Sequence, residues 1–205
     1  RDMSEAQLVC DFIEQRATAD ALVSRLGHAA SPEFDPARDL QRIGVANQTT
    51  MLARESLAIG AAIGDAIGRA RGAEARERDF RTFDTICSAT QERQDAVIAL
   101  LGEPLDVMVV IGGFNSSNTI SLAALCAEQV PTFHVEAPEG IDPVTGSVQH
   151  RLPGPKHQDA TTRNWLGAGA IRLGITAGAS TPNSKIGEAV LRVLATRGLE
   201  SPDDE

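Results

Sequence analysis

The residues best suited to chemistry in this sequence are uncharged polar side chains in the 112–119 segment, above all Ser116, Ser117 and Asn118. They follow an apolar run, 107–111, and precede an amphipathic stretch, an order that predicts a strand, a glycine turn and a helix. Such side chains often serve only as helix caps. A helix needs one cap, however, and five consecutive polar residues stand here. Together with the backbone amides of a helix start, they predict a binding loop for an oxygen-rich anion.

The two glycines of this segment, Gly112 and Gly113, are predicted to let a ligand approach the backbone closely. Three further turns of small or polar residues follow predicted strands, at 47–50, 87–90 and 176–182. None of the four turns contains Lys, Arg or His, and neither the Walker loop nor the GxGxxG pattern occurs. An anion would therefore be held by hydroxyls, carboxamides and helix N-termini, which suits a phosphate or diphosphate group.

Cys87 is the one residue in these turns with redox or soft-metal chemistry. A cysteine just before a helix can have a lowered pKa, so it could act as a nucleophile or a metal ligand. A buried structural role is the other interpretation, because one cysteine cannot hold zinc or an iron–sulfur cluster. Cys10 and Cys126 fall on apolar helix faces and are predicted to lie in the core.

Strand and helix patterns alternate along the chain, which predicts the α/β class with parallel sheets flanked by helices. In such folds ligands bind beyond the carboxyl ends of the strands. We therefore expect the turns at 87–90, 112–119 and 176–182 to line one end of a single sheet. The turn at 47–50 is expected to belong to a separate domain.

Two further segments, 69–79 and 137–164, differ from the alternating strand and helix patterns in composition. The 69–79 stretch has charges of mixed sign, which is typical of solvated surface. The 137–164 stretch contains four prolines and three glycines, so we expect a long loop, a feature that is often functional. Its histidines, His150 and His157, are predicted to lie at the surface because they have no ligand partner at helical spacing.

The composition restricts the possible partners. The 205 residues carry 19 Lys and Arg against 28 Asp and Glu, a net charge of −9 that argues against nucleic acid. No apolar run reaches the roughly 20 residues of a membrane span. The three cysteines have no CxxC spacing and no targeting segment is evident, so a reducing, cytoplasmic setting is expected. Because position 1 is not Met, we expect the chain to be the later part of a longer one.

Four blocks of this sequence, in this order, resemble the signature blocks of the 4-hydroxy-3-methylbut-2-enyl diphosphate reductase family, known as IspH or LytB. The blocks are Asn47-Gln48-Thr49-Thr50, the 84–96 segment around Cys87, the 112–119 segment, and Gly174 to Pro182. The first block and the 137–164 stretch are similar to the plant and cyanobacterial branch.

The resemblance implies a trefoil of three pseudo-equivalent α/β domains around a [4Fe-4S] cluster. This chain would supply two of them, the remainder of a middle domain at 1–80 and a carboxyl-terminal domain at 81–205. Cys87 would be one cluster ligand. The substrate's diphosphate would be held by Ser116, Ser117, Asn118 and Ser180, and its hydroxyl end would lie near Gln48 and Thr49.

The implied reaction is the reductive removal of an allylic hydroxyl, which yields isopentenyl and dimethylallyl diphosphates in the methylerythritol phosphate pathway. Electrons would come from a ferredoxin or flavodoxin, in the cytoplasm or in a plastid stroma. The family's other cluster cysteines, its histidines and its glutamate proton donor have no match here, so we expect the chain alone to be inactive. A diphosphate-binding module without redox chemistry, or a transferase that uses Cys87 as nucleophile, are the alternatives.

Overall fold

A computed structural model describes residues 2–47, 52–83, 85, 87–152 and 158–200. The chain folds as two compact units, Arg1–Ile86 and Cys87–Glu205. Each unit contains both helices and strands, so the predicted α/β class is confirmed.

The first unit is a helical layer on a small parallel sheet. Its α-helices are α1 (Met3–Ile13), α2 (Ala19–Leu26), α3 (Pro36–Asp39), α4 (Ala53–Arg71) and α5 (Ala73–Asp79), and its strands are β1 (Ile43–Ala46) and β2 (Phe80–Phe83). The strands pair in parallel, with Ile43 opposite Phe80. The core lies between α1 and α4 and contains Cys10, Ile13 and Ile67.

The pairing of β2 with β1 corrects one expectation. The 87–90 turn was predicted to follow a strand of the same sheet as the 112–119 and 176–182 turns, but β2 belongs to the first unit's sheet. The physical reason is that β1, α4, α5 and β2 form one crossover unit, in which the helices return the chain beside its own first strand.

The charged 69–79 stretch is more ordered than its composition suggests. Helix α4 continues to Arg71, Gly72 takes a positive φ of 91°, and α5 follows directly. The mixed charges pair along this surface, with Arg76 Nη1 2.8 Å from Asp65 Oδ1. The predicted exposure of the segment is confirmed for most of its residues.

The second unit is built on a mixed sheet. Its α-helices are α6 (Ser88–Leu101), α7 (Ser117–Ala127) and α8 (Asn183–Thr196), and its strands are β3 (Val107–Ile111), β4 (Thr132–Val135), β5 (Ile141–Asp142), β6 (Ser147–Arg151), β7 (Asp159–Arg163) and β8 (Leu173–Ala177). The strands pair in the order β5-β6-β4-β3-β8. Strand β7 also pairs with β6, outside this order. Strands β4, β3 and β8 are parallel, as predicted.

The central strand β3 explains why this unit is stable. All five of its residues are buried, which is the pattern of a parallel strand covered on both faces. Val109 and Ile111 pack in the main core with Val135 of β4, Ala177 of β8 and Ala189 of α8. The buried strand therefore fixes the point at which the 112–116 segment begins.

The 137–164 stretch is an antiparallel extension of the sheet and not the long loop that we expected. Strands β5, β6 and β7 pair in sequence, and β6 joins the parallel part through His134 opposite Arg151. His150 is buried and its Nε2 bonds to Thr162 Oγ1 at 2.9 Å, so its predicted surface position is wrong. His157 lies outside the described residues.

None of the helices in the described residues combines the length and the apolar character needed to cross a membrane.

The packing between β3 and β8 makes a stability prediction at Gly174. A methyl group there would overlap Met108 Sδ, which is fully buried, and would lie 3.1 Å from Leu105 Cδ1. We expect Gly174→Ala to lower the free energy of unfolding by about 1–3 kcal/mol, the usual effect of overpacking. Urea denaturation measures this change.

Gly187 of α8 provides the matched control, because a methyl group there meets no atom within 4 Å. Gly187→Ala should leave stability unchanged or raise it by about 0.5–1 kcal/mol through helix propensity. Equal stability of the two variants would contradict the packing described for β3 and β8.

Candidate functional site

Two loops meet at the carboxyl ends of neighbouring parallel strands in the second unit. Strands β3 and β8 pair from Val107 opposite Leu173 to Ile111 opposite Ala177. The chain then continues into the 112–116 loop before α7 and the 178–182 loop before α8. The amide of Gly178 donates to the carbonyl of Ile111 at 2.9 Å, so the ladder extends into the loops themselves.

Asn118 ties the two loops together. Its side chain is only 4% exposed, and its Oδ1 accepts a hydrogen bond from the amide of Ala179 at 2.9 Å. Its Nδ2 has no hydrogen-bond partner in the described residues. A buried donor without a partner costs about 1–3 kcal/mol, so an acceptor that reached this atom would recover stability.

The glycines of the site differ in their roles. Gly112 has a positive φ of 146°, and a methyl group there would lie 2.7 Å from Thr119 Oγ1 and 2.9 Å from Thr181 Oγ1. A methyl group on Gly178 would overlap the same Thr119 hydroxyl. These two glycines therefore make room for protein side chains. A ligand was expected to approach both Gly112 and Gly113, but of these only Gly113 faces open space.

The serines of the site also divide. Ser116 is the N-cap of α7, and its hydroxyl accepts a bond from the amide of Thr119 at 3.4 Å. Ser117 and Ser180 are exposed, and their hydroxyls have no hydrogen-bond partner within the described part of the chain. The structural capping role therefore accounts for Ser116 and leaves Ser117 and Ser180 available to a ligand.

Backbone amides add further donors. The amides of Gly113, Phe114 and Asn115 have no backbone acceptor in the described residues. Helices α7 and α8 begin directly after the two loops, and α8 has no side-chain cap. The first amides of a helix lack partners within it and form the positive end of its dipole, so both helix starts favour an anion.

Two side chains from neighbouring strands support the 112–116 loop. His134 of β4 is buried, and its Nε2 lies 2.9 Å from the carbonyl oxygen of Gly112. Arg151 of β6 donates from Nη1 to the carbonyl of Phe114 at 3.1 Å, and its guanidinium lies 4.2 Å from the centre of the Phe114 ring. Burial lowers the pKa of His134, which keeps the ring neutral at pH 7.

Cys87 is the N-cap residue of α6, with its Sγ 3.0 Å from Thr90 Oγ1. The thiol is exposed, and hydrogen bonds from the Thr90 side chain and then from its amide lower the pKa of Cys87. The other cysteines are buried, as predicted. Burial raises the pKa of Cys10 and raises that of Cys126 to about 12.

The sequence matches a known family over most of its length. The family model described as LytB protein matches residues 7–194. The chain belongs to the LytB family. This confirms the resemblance seen in the sequence.

The relatives of this LytB chain are named as one enzyme. This chain is 47% identical to the 4-hydroxy-3-methylbut-2-enyl diphosphate reductase of Synechococcus sp. (strain ATCC 27144 / PCC 6301 / SAUG 1402/1) over 195 residues. The alignment covers 94% of this chain and 48% of the relative. The reductase of Thermosynechococcus vestitus is 42% identical over 200 residues, covering 97% of this chain and 49% of the relative. The chain thus spans about half the length of these relatives.

A solved structure shares the fold of the LytB chain. The E-1-hydroxy-2-methyl-but-2-enyl-4-diphosphate reductase from Plasmodium falciparum aligns with a TM-score of 0.50 and 16% identity, over 91% of this chain and 56% of that one. At this identity the likeness concerns the fold alone.

The iron–sulfur cluster implied by the LytB resemblance fits this chain only in part. Cys87 suits a ligand, since it is exposed and its pKa is lowered. No group of three or more His, Cys, Asp or Glu side chains that could hold a metal occurs among the described residues. Gln48 and Thr49 lie outside the described residues.

The structure gives roles to four residues that the sequence analysis did not assign individually. Thr119 and Thr181 fill the space beside Gly112. Their positions in the two polar turns are a sequence signal that could have suggested packing against this glycine. His134 and Arg151 come from β4 and β6, which no local pattern connects to the 112–116 loop.

The contrast between the cysteines makes a direct prediction. Because Cys87 is exposed with a lowered pKa and the others are buried, iodoacetamide at pH 7.5 should modify Cys87 first in the native chain. Mass spectrometry of tryptic peptides should show Cys10 and Cys126 reacting only in denaturant. Equal modification of all three in the native state would contradict the burial described here.

Proposed function

We propose that this chain supplies the diphosphate-binding loops and one cluster ligand of a 4-hydroxy-3-methylbut-2-enyl diphosphate reductase. The observation that carries the proposal is the meeting of the 112–116 and 178–182 loops, joined by the bond from Ala179 to Asn118. It brings hydroxyls and amides that have no partner among the described residues to two helix N-termini. Membership of the LytB family and the names of the curated relatives support the choice of substrate.

The binding roles follow from exposure and hydrogen bonding. Ser117 and Ser180 donate their hydroxyls to the diphosphate oxygens, and the free amides of the 112–116 loop add further bonds. Ser116 holds the start of α7 and Asn118 holds the loops together, so both shape the site as well as line it. Gln48 and Thr49 are proposed to lie at the hydroxyl end of the substrate.

Cys87 is proposed as one thiolate ligand of a [4Fe-4S] cluster. When bound, this group supplies Lewis acidity and electrons for the removal of the allylic hydroxyl, with ferredoxin or flavodoxin as the electron source. Hydrogen bonds at Thr90 favour the thiolate form that iron requires. We propose that the remaining ligands and the proton donor lie on a further domain, in the part of the curated relatives that this chain does not span.

A second candidate is a diphosphate-binding module without redox chemistry. It is favoured by one observation, that the described residues contain one accessible cysteine and no metal-binding group. Both candidates use the same loops for the anion, so they differ only in the role of Cys87.

The binding proposal predicts different behaviour for two serines. Titration calorimetry with inorganic pyrophosphate should show weaker binding for Ser180→Ala, by about tenfold for one lost hydrogen bond to a charged group, with unchanged stability. Ser116→Ala should lose affinity and also about 1 kcal/mol of stability, because it removes a helix cap.

Thr18→Ala is the matched control, since Thr18 caps α2 in the other unit by accepting from the amide of Ala21 at 3.2 Å. It should lose stability without losing affinity. Undiminished pyrophosphate binding by Ser180→Ala and Ser116→Ala would refute the proposed site.

The cluster proposal makes a separate prediction for the protein at its natural length. After anaerobic reconstitution with iron and sulfide, Cys87→Ser should lower the bound iron and the visible cluster absorbance to a small fraction of the unmodified value, whereas Cys126→Ala, at a buried site, should retain both. An iron content unaffected by Cys87→Ser would favour the binding module.

A further inference from the structure

Arg151 of the antiparallel extension contacts the proposed anion loop. Arg151 stands at the end of β6, opposite His134 of β4 in the sheet register. Its Nη1 donates to the carbonyl of Phe114, and its Nε lies 2.9 Å from Asp159 Oδ1 of β7. The arginine is therefore held by its own hairpin while it holds the loop.

Phe114 lies between two supports. The Arg151 guanidinium is 4.2 Å from the ring centre, a cation–π contact. The ring of His134 meets the phenyl ring edge-on at 5.0 Å between centroids. The side chain and the carbonyl of this one loop residue are thus both fixed by Arg151.

The carbonyl contacts also orient the amides of the loop. His134 bonds to the carbonyl of Gly112 and Arg151 to that of Phe114. The chain has no cis peptide among the described residues, so each carbonyl and the amide that follows it point in opposite directions. The amides of Gly113 and Asn115 therefore point away from the His134 ring and the Arg151 guanidinium, respectively.

We propose that Arg151 is a positioning residue for the anion site, which it serves by holding Phe114 so that the amides of Gly113 and Asn115 face the ligand. This inference rests on the proposed function for the identity of the ligand, a diphosphate. It gives the β5–β7 extension a role: the extension supplies the support for a loop that has no charged side chain of its own.

Arg151→Lys distinguishes the positioning role from simple attraction between a positive charge and the anion. Lysine keeps the positive charge but lacks the planar guanidinium group. That group stacks on the Phe114 ring, donates to the Phe114 carbonyl and pairs with Asp159 at the same time. Arg151→Gln removes both the charge and the fork. Arg163→Gln is the matched control, because Arg163 stands at the other end of the same hairpin, opposite Ser147.

The experiment measures the dissociation constant of inorganic pyrophosphate and the ¹H–¹⁵N shifts of Gly113 and Asn115 in the ligand-free chain. Arg151→Gln and Arg151→Lys should both weaken binding by about tenfold, the size of one charge-assisted hydrogen bond, and should both move these two resonances. Arg163→Gln should change neither. Should Arg151→Gln fail to fold, Arg151→Lys decides alone.

Two results would overturn the inference. One is wild-type affinity in Arg151→Lys, which would mean that charge alone acts; the other is unshifted Gly113 and Asn115 resonances in both variants. Failure of the proposed function looks different, because then the unmodified chain would not bind pyrophosphate. The shifts in the ligand-free variants would still show whether Arg151 orients the loop.

Discussion

The parallel pairing of β3 with β8 is the constraint on which the rest of the site depends. It aligns Ile111 with Ala177, and the bond from Gly178 to Ile111 carries the alignment past the strand ends. Two loops and two helix starts are thereby brought to one edge of the sheet. The pairing needs Gly174 beside the buried Met108, so a core packing requirement sets the geometry of a surface site.

The loops favour an anion through oriented donors and not through a row of cations. Asn118 Nδ2 and the hydroxyls of Ser117 and Ser180 have no partner in the described residues, and two helix dipoles point at the same region. Arg151 contacts the loop carbonyl and ring but is paired with Asp159, so part of its charge is already neutralised. Oriented hydrogen-bond donors in a site of modest net charge select an anion by the arrangement of its oxygens, which suits a diphosphate on a small organic substrate.

Local sequence patterns predicted the parts of the fold that are set locally. The buried run of β3 and the burial of Cys10 and Cys126 follow from hydrophobic spacing. The β5–β7 extension was missed because its strands are short, polar and interrupted by turn residues. The contacts of His134 and Arg151 with the 112–116 loop depend on strand register, which no local pattern encodes.

A diphosphate is proposed to bind between the 112–116 and 178–182 loops. A ¹H–¹⁵N correlation spectrum of the unmodified chain, titrated with inorganic pyrophosphate, tests this binding. We expect saturable shifts concentrated at the amides of Gly113, Asn115, Ser117 and Ser180, with the first unit unaffected. Shifts that are absent, or that cluster elsewhere in the chain, would contradict it.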